Sequence, residues 1–207
     1  MTYSKLEEYL NSITHYIGAG LSILGLVILI NKAMLTGKVG YTVGSIIFGI
    51  AMIILYTMSG TYHILNHGKL KNIFKILDHS AIYLLISASY TPYILTCLEG
   101  PSKWIIFFAQ WGMAVCGIIF KTFYINKFKK LSTVIYLLMG WMVVFVFKDL
   151  KLSMSALSLN FLIAGGVTYS LGVIFYSLKN VKYFHVIWHL FVIGGSVLNY
   201  MSVYYLY

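Results

Sequence analysis

Residues 41–63, YTVGSIIFGIAMIILYTMSGTYH, carry no aspartate, glutamate, lysine or arginine and end on a histidine. An α-helix needs roughly 20 such residues to cross about 30 Å of hydrocarbon, so this stretch reads as a transmembrane helix. Similar runs occur at residues 16–31, 76–98, 104–120, 131–147, 156–177 and 183–205, broken only by Asp78 in the third. Together they account for nearly the whole chain of 207 residues, which is 60% hydrophobic and 10% charged with a mean hydropathy of +0.85. A water-soluble domain of this size could not hide that much apolar surface. The runs are continuous rather than alternating, which excludes a membrane β-barrel. The expected fold is therefore an all-α integral membrane protein of seven transmembrane helices, a single domain over residues 1–207, multi-pass in the cell membrane. Residues 1–15 read as an interfacial N-terminal segment, amphipathic through Tyr3, Leu6, Leu10 and Ile13, that turns into the first helix.

A cleaved signal peptide is the competing reading of residues 16–31. The acidic pair Glu7 and Glu8 precedes that run and no small-residue cleavage site follows it, so it is taken as the first span. All 15 basic residues are lysines, and they lie outside the apolar cores or at their ends. The net charge of +10 therefore concerns membrane topology and not nucleic-acid binding, which needs a basic, aromatic-lined groove. Ten lysines fall on the side of the N-terminus: Lys5, Lys69, Lys71, Lys75, Lys121, Lys127, Lys129, Lys130, Lys179 and Lys182. Five fall on the other: Lys32, Lys38, Lys103, Lys148 and Lys151. The positive-inside rule then predicts a cytoplasmic N-terminus and an extracytoplasmic C-terminus, the reverse of G-protein-coupled receptors. The tyrosines at 200, 204, 205 and 207 read as an interfacial aromatic belt on the outer side.

That orientation gathers the polar residues of the spans in one leaflet. His15 starts the first helix there, Ser59 and His63 end the second, Asp78 and His79 open the third, and His185 and His189 open the seventh. Ionisable residues within a membrane are expensive, on the order of 2.5 kcal/mol or more for a charged group, and usually functional. His185 and His189 are four apart, so their rings share one helix face a turn apart, as two imidazoles holding one cation must. Ser59 and His63 have the same spacing. Three imidazoles from two helices leave a fourth position open on a tetrahedral zinc ion, the arrangement of catalytic sites. Imidazole donors favour zinc over magnesium or calcium, while iron, nickel and copper accept the same ligands. Asp78 is the candidate acceptor for the proton of a water. The competing readings are an interfacial histidine pair and an Asp78 that only caps the third helix. His67 and His79 read as loop or packing residues. Glu8, Asn11 and His15 share one helix face at i, i+3 and i+7 and are a possible outer shell that orients the ligands, or simply a polar stripe.

Glu8-x-x-Asn11-x-x-Thr14-His15, Ser59-x-x-x-His63, Asp78-His79-Ser80, Tyr90-Thr91-Pro92 and His185-x-x-x-His189 together resemble the hemolysin III family, the bacterial branch of the progestin and adipoQ receptor superfamily, which includes the adiponectin receptors. The resemblance covers the full chain and keeps the motifs in order. It implies seven helices with a cytoplasmic N-terminus, zinc held by His63, His185 and His189, and Asp78 and Ser59 beside the attacking water. The superfamily is grouped with membrane hydrolases such as alkaline ceramidases, which implies hydrolysis of a lipid amide or ester, with membrane lipids as partners and substrate. Two other readings compete with it. One is a sensor or regulator in which the metal only staples helices. The other is a membrane-disrupting hemolysin, the weakest of the three, since apolar helices with short loops have no soluble form. Pro92 is expected to kink the third helix. Gly165, Gly166, Gly172, Gly194 and Gly195 are expected to let the last two helices pack closely.

Overall fold

The computed structural model describes residues 3–125, 127–178 and 180–207, and every regular element among them is helical. The helices are α1 (Lys5–Thr36), α2 (Val39–Ile64), α3 (Lys69–Cys97), α4 (Gly100–Tyr124), α5 (Lys129–Trp141), α6 (Phe147–Ser153), α7 (Ala156–Ser177) and α8 (Phe184–Tyr204), with a 3₁₀ segment, Met142–Val146, joining α5 to α6. Among the described residues seven helical stretches are long and apolar enough to cross a membrane, the fifth being Leu131–Ser153 across the 3₁₀ segment. Of the lysines counted for topology, Lys179 lies outside the described residues, as do the side chains of Lys129 and Lys130.

α1 departs from the expectation of a surface segment that turns into the membrane. It runs unbroken for 32 residues, about 48 Å at 1.5 Å per residue, from a capping box in which Ser4 Oγ accepts from Glu7 N–H while Ser4 N–H donates to Glu7. Glu7, Asn11 and His15 are buried within it, so polar residues that looked interfacial face other helices. α3 likewise starts earlier than expected, at Lys69. Asp78 is then more than two turns inside the helix, and the reading of Asp78 as an N-terminal cap does not apply.

The break in the fifth crossing has a visible cause. The Tyr90 hydroxyl, reaching over from α3, donates to the carbonyl of Gly140 and accepts from the backbone N–H of Val143 at 2.9 Å. A side chain inserted into the i→i−4 ladder replaces one helical turn's bonding with its own, and the backbone there tightens to 3₁₀.

α1, α2 and α3 pack in sequence order, α4 lies on α3, and α7 and α8 form a pair that α8 joins to α1. The α2–α3 contact is closest at Gly44, where an added Cβ would sit 2.5 Å from Pro92 Cα; α3 continues through Pro92. Between α7 and α8 the close approaches are at Gly165, Gly172 and Gly195, where a Cβ would come within 2.6, 2.7 and 2.7 Å of Asn199, Phe191 and Tyr169. Gly166 and Gly194 play no such part: nothing lies within 4 Å of a Cβ at Gly166, and Thr168 is an ordinary 3.6 Å away at Gly194.

Gly44→Ala pushes a methyl group against the backbone of another helix, while Gly112→Ala meets nothing within 4 Å and gains helix propensity. The melting temperature in detergent is expected to fall for Gly44→Ala, by the equivalent of roughly 1–3 kcal/mol, and to hold or rise slightly for Gly112→Ala. Equal melting of the two variants would show that the α2–α3 contact is not tight at Pro92.

Candidate metal centre

Four helices, α1, α2, α3 and α8, deliver imidazoles and carboxylates to one region. His63 lies on the last turn of α2, and His185 and His189 lie on the first two turns of α8. One nitrogen of each ring lies within 4.8 Å of the others, close enough for a single metal ion. The ring centroids are 4.7 Å apart for His185 and His189, 5.0 Å for His63 and His189, and 5.2 Å for His63 and His185. His63 and His189 are buried and His185 is half-buried.

The rings are held from behind. His63 Nδ1 is 2.6 Å from Glu8 Oε2. An ionised carboxylate only accepts, so the Nδ1 proton donates to Glu8 and the lone pair is left on Nε2. Among the described residues that Nε2 is buried with no hydrogen-bond partner. A buried acceptor facing two other imidazoles and lacking a partner is what a metal ligand looks like before its ion is counted. His189 Nδ1 is 3.1 Å from the Asn11 carbonyl, which accepts its proton and leaves the other nitrogen as donor to a metal. The residues present therefore fit an imidazole-bound cation.

α1 runs past the same rings. Glu8 reaches His63, the Asn11 carbonyl reaches His189, and His15 stacks flat on His189 with centroids 3.6 Å apart and planes 13° apart. Both nitrogens of His15 and the side-chain amide of Asn11 are buried without partners among the described residues.

Asp78 and Ser59 stand beside the imidazoles. Ser59 and His63 both lie close enough to the Asp78 carboxylate to act on it electrostatically. His79 is not one of the three clustered imidazoles; its Nδ1 lies 2.8 Å from the Lys75 carbonyl and 3.4 Å from Asp78. His67 is exposed on the loop between α2 and α3. These two histidines are outside the cluster, as their positions in the sequence suggested.

Several contributors were not singled out from the sequence. Glu7 Oε1 accepts from the Tyr183 backbone N–H at 2.8 Å, tying the start of α1 to the residue before α8 and so to the turn that carries His185. The Ser4-x-x-Glu7 capping box was the available signal for a helix beginning there. Tyr3 stacks on His185, with centroids 4.9 Å apart and planes 13° apart, and covers the cluster from outside the spanning helices. Burial pushes its phenol above the ordinary tyrosine range, which keeps it neutral. Tyr62 sits 4.6 Å from the His63 ring, and Tyr176 sits 6.3 Å from the His185 ring. Nothing in their local sequence distinguishes these tyrosines from the other aromatic residues of the chain.

Residues 3–200 match the family described as haemolysin-III related. The chain belongs to that family. Hemolysin-3 of Bacillus cereus is 43% identical over 203 residues, which cover 98% of this chain and 93% of the relative. The Hemolysin-3 homolog of Bacillus subtilis is 43% identical over 197 residues, 95% of this chain and 92% of the relative. The human monocyte to macrophage differentiation factor is more distant, 31% identical over 172 residues, 78% of this chain and 69% of that protein. With its seven apolar helices, this haemolysin-III related chain is a multi-pass integral protein of the cell membrane.

Purified protein is expected to hold about one divalent metal ion per chain, and His185→Ala or His189→Ala is expected to remove most of it, because each change deletes one of three donors. Elemental analysis of the three proteins is the check. Full occupancy in both variants would exclude these imidazoles as the site.

Proposed function

We propose that this chain is a zinc-dependent membrane hydrolase that cleaves an amide or ester bond of a lipid. The observation that carries the reading is the combination of three unlike features: the three-imidazole cluster, Asp78 and Ser59 beside it, and an apolar cavity that reaches the tyrosine next to His185. The cavity, of about 510 Å³, is walled by α2, α3, the fifth crossing, α7 and α8. Tyr176 and Trp188 line it, and the same Tyr176 stands beside His185. An acyl chain in the cavity would thus bring its carbonyl end toward the imidazoles.

His63, His185 and His189 hold the ion, with Glu8 and Asn11 orienting two of the rings and His15 packed against one. When bound, zinc supplies Lewis-acid chemistry, activating water and polarising the scissile carbonyl. Asp78 accepts the proton given up by the attacking water and returns it to the departing amine or alcohol, so that one water is consumed and a fatty acid and an amine or alcohol are released. Ser59, which lies near Asp78, orients that carboxylate. The alternative in which a metal only staples α2 to α8 requires neither Asp78 nor the cavity.

The lysine bias, ten against five, supports a cytoplasmic N-terminus, and seven crossings then place Tyr207 on the opposite face. The cluster lies where α2 ends and α8 begins, in the cytoplasmic leaflet. A reporter fused after Tyr207 is expected to be extracytoplasmic. A cytoplasmic signal from that fusion would invert the orientation and move the site to the outer leaflet.

Asp78→Asn preserves the shape of the side chain and leaves every proposed ligand in place. It is expected to keep the metal and the melting temperature while lowering release of free fatty acid from acyl lipids roughly 100-fold or more. His63→Ala, which removes a ligand, is expected to lower metal content, melting temperature and turnover together. Undiminished cleavage by Asp78→Asn would exclude it as the base. Absence of metal-dependent cleavage by the wild type across a broad lipid panel would favour the staple.

A further inference from the structure

Lys71 looked like one of the positive-inside lysines of the loop between α2 and α3. It lies instead in the first turn of α3 with only 8% of its surface exposed, and its ammonium group points back toward the metal centre. Its Nζ donates to Glu8 Oε1 at 2.9 Å and to the carbonyl of Leu65 at 2.9 Å, and it stands 5.1 Å from the centre of the Tyr62 ring. Leu65 is the C-terminal cap of α2, two residues beyond His63. The ammonium thus sits where the negative end of that helix attracts a cation.

We infer that Lys71 is a positioning residue for His63, acting through Glu8. This rests on the metal reading of the cluster. Each oxygen of the Glu8 carboxylate has one strong partner, Lys71 on Oε1 and His63 on Oε2, so the place where Lys71 holds the first oxygen sets the direction in which the second accepts. That direction fixes the plane of the His63 ring, and with it the line along which Nε2 offers its lone pair. The ammonium is itself held by a backbone carbonyl at the end of α2, the helix that carries His63. Lysine, carboxylate and imidazole therefore close a loop across α3, α1 and α2 in which no member can turn alone. A surface lysine could not do this, because an exposed ion pair is weak and mobile. Partners behind a metal ligand typically matter by 10- to 100-fold in metal affinity.

The test is a double-mutant cycle read as zinc affinity, by competition with a chelator, on full-length protein in detergent. Lys71→Met is expected to weaken zinc binding about 10-fold, and Lys71→Arg, which keeps a charged donor, to recover most of it. Because Lys71 acts only through Glu8, the double variant Lys71→Met/Glu8→Gln is expected to bind zinc within about twofold of Glu8→Gln alone. The visible spectrum of the cobalt-loaded protein is expected to shift in Lys71→Met, since the His63 donor is reoriented. If Lys71→Met does not fold, Lys71→Gln takes its place in the same cycle. Unchanged zinc affinity in the Lys71 variant with a lowered melting temperature would reduce Lys71 to a helix cap and overturn the inference. So would a double variant whose loss equals the product of the two single losses. Equal zinc binding by wild type and His185→Ala would instead overturn the metal reading itself.

Discussion

A hydrocarbon interior supplies no hydrogen-bond partner, so a polar side chain in a spanning helix gains most from one on its own helix or a neighbour. That preference organises the bundle. Ser12 donates to the Gly60 carbonyl and joins α1 to α2, and Tyr41 donates to the Val203 carbonyl and joins α2 to α8. Tyr56 and Tyr169 both meet Ser196 at 2.7 Å, bringing α2, α7 and α8 together. Gln110 links α4 to α5 through the Met139 carbonyl while its own carbonyl accepts from Ser87 of α3. Lipid tails are as apolar as leucine, so apolar contact between helices carries little preference for one neighbour over another. These directed bonds, with the close approaches that glycine permits, select which helices pair.

The same preference explains how far the fold could be read from the chain. All seven crossings were legible because lysine is confined to their ends, a pattern that composition alone imposes. The ends themselves were not. α1 begins at Lys5 rather than near residue 16 because Glu7 and Glu8 have partners on the turn before α8 and on α2, and a polar residue that is satisfied by tertiary contact no longer marks a boundary. The 3₁₀ break at Met142–Val146 has no glycine or proline of its own to announce it. It depends on Tyr90, about 50 residues earlier, and contacts at such separation leave no local signal.

In the histidine cluster, helical spacing placed His185 and His189 on one face, and the structure brings His63 from the same end of the bundle to them. Spacing also placed Glu8, Asn11 and His15 on one face, although it did not say which ring each would meet. The contacts of Lys71 were not legible for a physical reason: a lysine near a helix end serves topology in most membrane proteins, and here the carboxylate of Glu8 on another helix also draws its ammonium inward. Asp78 was ambiguous because its meaning depends on where α3 starts. With the helix beginning at Lys69, capping no longer accounts for it, and its company with Ser59 and His63 does.

The bundle is divided unequally around the cluster, and the division bears on what the cluster can do. On one side α1, α2 and the start of α8 form a wedge dense in polar contacts, closed at its aqueous end by Tyr3 over His185 and by the Glu7 bond to Tyr183. On the other side α3, the fifth crossing and α7 stand apart around an apolar cavity in which Tyr90, Tyr136 and Tyr176 are among the few polar groups. A metal that served only to hold helices together would gain from close packing on every side, because each void forfeits dispersion contacts. Hydrolysis of a lipid has the opposite need. Water must arrive from the aqueous face and hydrocarbon from within the membrane, and the two must meet at one atom. His185 stacks on Tyr3 on the first side, and on the second its ring lies 6.3 Å from that of Tyr176, which lines the cavity, so the cluster stands between the two.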